Sequence, residues 1–295
     1  MLPNFIIAGA TRSGTTSLYH YLIQHPEISF PKLKEPRYFS SYDLKLPQKG
    51  PGDITVDDKL ITSFEEYNDL YFQINNKLVG DASSEYLYHH LSSVPKIKEK
   101  LGDIPIIFIL RNPIERAYSA YNNLVRDGRE TLNFRHALNV EKDRVDNCYD
   151  MMWHYTAVSK YHESIKHFLK EFKNVKIIIF EEFISNKEST LRDIFSFLGV
   201  ENIPIDTSVV YSKSGKPKSK FIAYVLGRNN SIGSYIRNFL FKVFKREFLE
   251  KISRFFVNDK DSLPIEMKKH LYKDFETDIK NLEKLINVNL SSWKV

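Results

Sequence analysis

Gly9-Ala10-Thr11-Arg12-Ser13-Gly14-Thr15-Thr16 is the stretch of this chain best suited to hold an anion. Two glycines bracket a turn, Ser13, Thr15, Thr16 and Ser17 bring hydroxyl donors, and Arg12 brings a permanent cation. The apolar run Phe5–Ala8 before it reads as a buried strand, and a helical pattern runs from about Thr15 to Gln24. A loop so placed presents free helix-terminal amides and the positive end of a helix dipole to a phosphate or sulfate. Arg12, Ser13, Gly14, Thr15, Thr16 and Ser17 are therefore the candidate contacts. The spacing approaches the nucleotide loop G-x-x-x-x-G-K-[ST], but Thr15 stands where that loop carries Lys. An NTPase also needs a Mg²⁺-holding Asp after a neighbouring strand. The apolar runs Ile104–Leu110 and Val175–Phe180 are followed instead by Arg111 and by Glu181-Glu182. The loop reads as a phosphate site without the usual ATP chemistry.

A second anion-ready segment is Arg111-Asn112-Pro113-Ile114-Glu115-Arg116-Ala117-Tyr118-Ser119. Asn112 is a helix cap, Pro113 suits the first helical position, and Glu115 completes a capping-box spacing. Arg111 would enter the crevice at the carboxyl ends of parallel strands, with Ser119 two turns along the following helix. Taken alone, the segment is explained by ordinary capping and a surface Arg pair. Two such loops following two strands point to one ligand with two separated phosphates.

Continuous apolar strands alternating with helices imply a parallel sheet covered on both faces, hence an α/β fold. Leu78–Asp81 is a further strand, and Lys187–Leu198 a helix ending near Gly199. Residues from Pro26 to Asp58 are rich in Pro, Lys, Gly and Asp and should be mostly irregular, a length that points to a functional loop. From Ser219 on the pattern is helical and more basic. Arg237, Lys242, Lys245, Arg246, Lys251 and Arg254 interleave with Phe239, Phe241, Phe244, Phe248, Phe255 and Phe256. That segment fits a helix packing its Phe stripe on the domain, an interfacial amphipathic helix, or a lid over an acceptor.

The chain has 295 residues, 42% hydrophobic and 27% charged, which is enough apolar material for a large core and argues against wholesale disorder. Its net charge of +6 suits an anionic ligand without identifying one. A single cysteine, Cys148, excludes an internal disulfide framework and a Cys-based zinc site, and fits a reducing compartment. No run approaches the roughly 18–20 apolar residues of a membrane span. A cytoplasmic enzyme or binding protein is expected. His162-Glu163-Ser164-Ile165-Lys166-His167 misses H-E-x-x-H by one residue, and His89-His90 has no partner cluster in the sequence, so no metal is expected.

These motifs resemble those of sulfotransferases that use 3′-phosphoadenylyl sulfate (PAPS). Gly9 through Leu18 resembles their 5′-phosphosulfate loop, and Arg111 through Ser119 their 3′-phosphate segment. His25-Pro26-Glu27-Ile28, Lys34-Glu35-Pro36-Arg37-Tyr38-Phe39, Gly80-Asp81-Ala82-Ser83, Phe180-Glu181-Glu182-Phe183, Phe197-Leu198-Gly199 and Leu290-Ser291-Ser292-Trp293 match in order along nearly the whole chain. The likeness is to bacterial sulfotransferases related to the heparan sulfate enzymes. It implies a single three-layer α/β domain over residues 1–295, with a central parallel sheet, and transfer of a sulfuryl group to a hydroxyl or amine. Adenosine 3′,5′-bisphosphate (PAP) would be left behind.

By the resemblance, the loop from Arg12 holds the 5′-phosphosulfate, while Arg111 and Ser119 hold the 3′-phosphate. Ser212 to Ser219 resembles the basic loop that closes over the nucleotide, offering Lys213, Gly215, Lys216 and Lys218. From the residues alone that stretch also reads as a flexible linker. Glu35 matches the catalytic carboxylate, and Pro36 keeps it in an extended loop. Many relatives carry Lys where this chain has Arg12, and some carry His where it has Arg37. Arg12 is expected to stabilise charge and not to donate a proton. The acceptor is expected to be a glycan or glycolipid, with nucleic acid excluded for lack of a recognition motif. The acceptor pocket is expected from the loops around Pro26–Asp58 and Tyr86–His90 and from the C-terminal helices, with peripheral membrane contact through 237–256. A P-loop kinase and a non-catalytic module for anionic ligands are the alternatives.

Overall fold

The computed structural model describes residues 2–209, 215–217, 257–259 and 262–295. Strand β1 (Phe5–Gly9) leads through the glycine-bounded loop into helix α1 (Thr15–Leu22). The short edge strand β2 (Ile28–Ser29) follows, and the stretch to β3 (Leu78–Asp81) is otherwise irregular apart from a 3₁₀ turn at Tyr38–Asp43 and two short helices, α2 (Ile54–Asp57) and α3 (Phe64–Asp69). Helix α4 (His90–Leu101) connects to β4 (Ile106–Leu110), and α5 (Pro113–Arg126) starts at once behind it. Short helices α6 (Phe134–Asn139) and α7 (Glu141–Asp146) precede α8 (His162–Glu171), which leads to β5 (Val175–Ile179). Helices α9 (Phe180–Ser185) and α10 (Lys187–Leu198) follow, and Ile265–Ile286 forms a long C-terminal helix.

The five strands form one parallel sheet in the order β2-β3-β1-β4-β5. Alternation along β1 and β4 sends side chains to two cores. Ile6, Ala8, Ile106, Phe108 and Leu110 pack with residues of α4, α5, α8 and the C-terminal helix. Phe5, Ile7, Ile107 and Ile109 pack on the other face with α1, α9 and α10. Both faces are covered, which is why these strands read as unbroken apolar runs.

Some boundaries differ from the sequence expectation. The last strand ends at Ile179, so Phe180 opens a helix and lies over Arg111 instead of closing the strand. Asn112 Oδ1 accepts from the backbone N–H groups of Ile114 (3.0 Å) and Glu115 (3.4 Å), as a cap should. The backbone N–H of Asn112 donates to Glu181 Oε1 at 3.1 Å, the bond a capping box would have given to Glu115. Trp293 Nε1 donates to the other Glu181 oxygen at 3.2 Å. Glu181 thereby ties the buried Trp293 to the start of α5, bringing together two motifs far apart in sequence.

Candidate active site

The phosphate loop depends on Gly14, whose φ of 94° lies in the left-handed region that favours glycine. A Cβ there would also sit 3.0 Å from the Phe180 ring. Gly14 is the N-cap of α1, with no capping side-chain bond and no acid in the first turn. The helix start therefore keeps its donors and its positive end for a ligand.

This loop forms one end of a cleft of about 670 Å³ at the carboxyl edge of the sheet. Arg12, Thr15, Thr16 and Ser17 line it, as do Arg111 and Ser119. Arg111 Nη1 donates to the Arg12 carbonyl at 3.2 Å, and its guanidinium lies 4.7 Å from the Phe180 ring centre. Arg12 Nε donates to Ser119 Oγ at 3.4 Å, linking the two predicted motifs directly. Burial, then repulsion from Arg126 and Arg111, push Arg12 down to about 9, with Asp127 opposing. Arg111 is also lowered, by burial. Crowded cations beside open helix amides are a site built for a multiply charged anion.

Arg116 does something else. It is fully buried, donating from Nε to the Thr11 carbonyl at 3.2 Å and from Nη1 to Tyr155 O and Ser159 Oγ. It clasps the back of the phosphate loop and does not line the cleft. Ser13, within the loop, is also fully buried and does not line the cleft.

Glu35 lines the same cleft, with its side chain 41% exposed. Ser84 Oγ contacts Glu35 Oε1 at 3.4 Å and Thr11 Oγ1 at 3.1 Å, so the carboxylate is coupled to the phosphate loop. Two residues on, Arg37 is buried and anchors this loop. Its Nε donates to Glu85 Oε2, its Nη2 reaches Asp150 Oδ2 at 3.3 Å, and its backbone N–H donates to Ser83 Oγ at 3.0 Å. Burial alone would push Arg37 down, but Glu85 and Asp150 hold it above the ordinary range.

Lys34, Asn123, Arg126, Arg129 and the 150–152 segment also line the cleft and were not picked out in the sequence. Lys34 was readable in principle, lying inside the Lys-Glu-Pro-Arg-Tyr-Phe motif. Arg126 was readable as the position seven residues after Ser119, two turns along the same helix face. Asp150–Met152 carry no motif and arrive from a distant loop. Leu33, Thr55, Val56 and Lys59, from the Pro26–Asp58 region and just beyond it, also line the cleft. Tyr86 is buried in the core and does not reach the cleft, nor does the described C-terminal helix.

Lys213, Lys218 and segment 237–256 lie outside the described residues. The backbone of Gly215–Pro217, which includes Gly215 and Lys216, pairs antiparallel with Val257–Asp259 and runs beside α5. The sequence left His89-His90 without partners, but the structure places His90 Nδ1 3.0 Å from His167 Nδ1. Among the described residues no group of three or more potential ligands could hold a metal ion.

The sulfotransferase family model matches residues 3–204. A solved sulfotransferase from Alicyclobacillus acidocaldarius aligns over 99% of both chains, with a TM-score of 0.79 and 32% identity. The membrane-associated sulfotransferase kil1 of Dictyostelium discoideum is 33% identical over 50% of this chain and 30% of its own length. The human heparan sulfate glucosamine 3-O-sulfotransferase 3B1 is 23% identical over 72% of this chain and 50% of its own. The chain thus spans half or less of these curated relatives.

Proposed function

The chain belongs to the sulfotransferase family, and on that premise we propose that it transfers a sulfuryl group from PAPS to a hydroxyl of a glycan or glycolipid. The observation that carries this reading is the shared cleft. The phosphate loop, the Arg111–Ser119 segment and Glu35 all line one cavity of a size that suits a nucleotide plus part of an acceptor. The Arg111 and Ser119 end suits the 3′-phosphate, and the open start of α1 with Arg12 suits the 5′-phosphosulfate.

Glu35 takes the acceptor proton as the acceptor oxygen bonds to sulfur. The sulfur–oxygen bond to the 5′-phosphate breaks, its electron pair stays on the phosphate oxygen, and PAP departs. The loop amides and the cleft cations stabilise the charge that collects there. A carbohydrate acceptor is supported by the likeness to heparan and other carbohydrate enzymes, and a cytoplasmic site of action by the single cysteine. Among the described residues no helix is long and apolar enough to cross a membrane.

The test is transfer of labelled sulfate from PAPS over a panel of glycans, glycolipids and small alcohols. Transfer to a sugar hydroxyl is expected, with Glu35→Gln lowering kcat about 10²-fold or more while PAP affinity changes little. Stabilisation by Mg-ATP and not by PAP would move the assignment to phosphoryl transfer. Stabilisation by PAP without transfer to any acceptor would leave a binding module.

A further inference from the structure

One wall of the cleft holds its charges in closed pairs. Arg37, two residues from Glu35, is taken up by Glu85 and Asp150. Arg129 pairs with Asp53, and both side chains are buried. Arg129 Nε also donates to the Pro51 carbonyl at 2.6 Å, and its guanidinium lies 5.4 Å from the Trp153 ring centre. The carboxylates are just as occupied. Asp53 accepts from Trp153 Nε1 at 3.1 Å and from the backbone N–H of Asp150 at 2.9 Å. Asp150 accepts from the backbone N–H of Met152 at 2.9 Å.

Asp53 thereby joins the start of α2 to the 150–153 segment in one surface. Between the ion pairs that surface presents apolar side chains to the cleft, Val56 from α2 and Met151 and Met152 from the other segment. Lys59, which also lines the cleft, is exposed, so water screens its charge. We propose that the acceptor is an uncharged amphiphile, a hydroxyl-bearing head group on an alkyl chain, with the hydroxyl at Glu35 and the chain along Val56, Met151 and Met152.

The proposal rests on the PAPS reading above and narrows its acceptor. A polyanionic glycan needs arginines that can turn to its carboxylates or sulfates. Freeing Arg37 or Arg129 for that purpose would strip a buried carboxylate of its cation, which is strongly unfavourable. An alkyl chain makes no such demand. It removes apolar surface from water, and two adjacent methionines adapt to its shape. The transfer itself is unchanged. The head-group oxygen bonds to sulfur, its proton passes to Glu35, and PAP leaves with the electron pair of the broken sulfur–oxygen bond.

The test uses the full chain and n-alkyl glucosides from methyl to octyl, kept below their micelle-forming concentrations. With labelled PAPS, kcat/KM should rise about fourfold for each methylene that meets the wall. Calorimetry on the PAP-loaded protein should show octyl glucuronide, which carries a carboxylate, binding about 10-fold or more weakly than octyl glucoside. Val56→Thr keeps the side-chain shape and adds a hydroxyl, and Met152→Gln keeps the length and adds an amide. Each should flatten the dependence on chain length, a slope that a general loss of activity would not change. A flat slope in wild type, tighter binding of the glucuronide, or an unchanged slope in both variants overturns the proposal. So does a wild type that binds PAP but neither binds nor sulfates any alkyl glucoside, and that result leaves the PAPS reading standing. If wild type does not bind PAP, the PAPS reading fails and this proposal with it.

Discussion

Arg37→Ala is the substitution whose cost the structure defines best. The guanidinium pairs with Glu85 and Asp150, and the three side chains are only 8%, 9% and 2% exposed. Removing it leaves two buried carboxylates without their cation, a change that costs about 3–5 kcal/mol. At roughly 2–4 °C per kcal/mol for a chain of this size, melting should fall by about 6–20 °C. The deficit should depend on pH. Burial already raises Glu85, and Arg37 is the strongest opposing influence. Without Arg37, the folded-state pKa of Glu85 rises further above its unfolded value. A carboxyl raised in this way binds protons in the folded state that the unfolded chain releases. Its contribution is fully present below the unfolded pKa and is lost as pH rises through the folded one. The gap to wild type should therefore narrow on acidification from pH 7 towards 5. Differential scanning calorimetry across that range reads both effects. Turnover should fall as well, because Arg37 anchors the loop that carries Glu35. A loss below about 1 kcal/mol, or one that stays constant with pH, would refute the buried-pair account.

Two further outcomes follow from the same geometry. Burial pushes His89 and His154 down to about 4, so the unfolded chain takes up protons that the folded one refuses. Stability is retained above about pH 6.5 and lost as pH falls towards 4, by about 3 kcal/mol per histidine. Asp81, raised to about 6 by burial, contributes the opposite slope and offsets about one of them. His154→Gln should flatten the acid side of a melting-versus-pH curve, and an unchanged slope would rule His154 out. Arg111→Ala should weaken PAP about 10²-fold and adenosine 5′-phosphate far less, by calorimetry. Equal losses for the two ligands would place Arg111 away from the 3′-phosphate.

The parts of this protein legible in its sequence are those where local chemistry dictates local shape. Apolar runs as continuous as Ile106–Leu110 can only be buried on both faces, and Gly14 and Pro113 mark the starts of α1 and α5 in the sequence itself. The phosphate loop and the Arg111 segment were legible for the same reason, since each is one strand end and one helix start. What was not legible depends on contacts across long separations. Arg37 binds Asp150 over 113 residues and Asp53 accepts from Trp153 over 100. Nothing near Asp150 in sequence announces a wall of the cleft. Lys34 looked like half of a solvated pair because its second partner, Thr16, lies on a different element.

The cleft also shows why its arginines are not there for stability. Arg12 is pushed down by burial and by Arg126, Arg111 and Arg116, with Asp127 the counter-charge that opposes them. The burial and the repulsion each raise the free energy of the folded chain without a ligand. Arg116, equally buried and lowered to about 10, is at least placed by three hydrogen-bond acceptors behind the loop. Arg111 and Arg12 instead face a cavity. A group of cations held close, partly dehydrated and open to one cleft is offset only when a multiply charged anion enters. Binding must then return the repulsion energy together with the new contacts, and the ligand should stabilise the fold in proportion to its charge. The +6 of the whole chain is too small to predict this, because the effect comes from Arg12, Arg111 and Arg126 converging on one space and not from the sum.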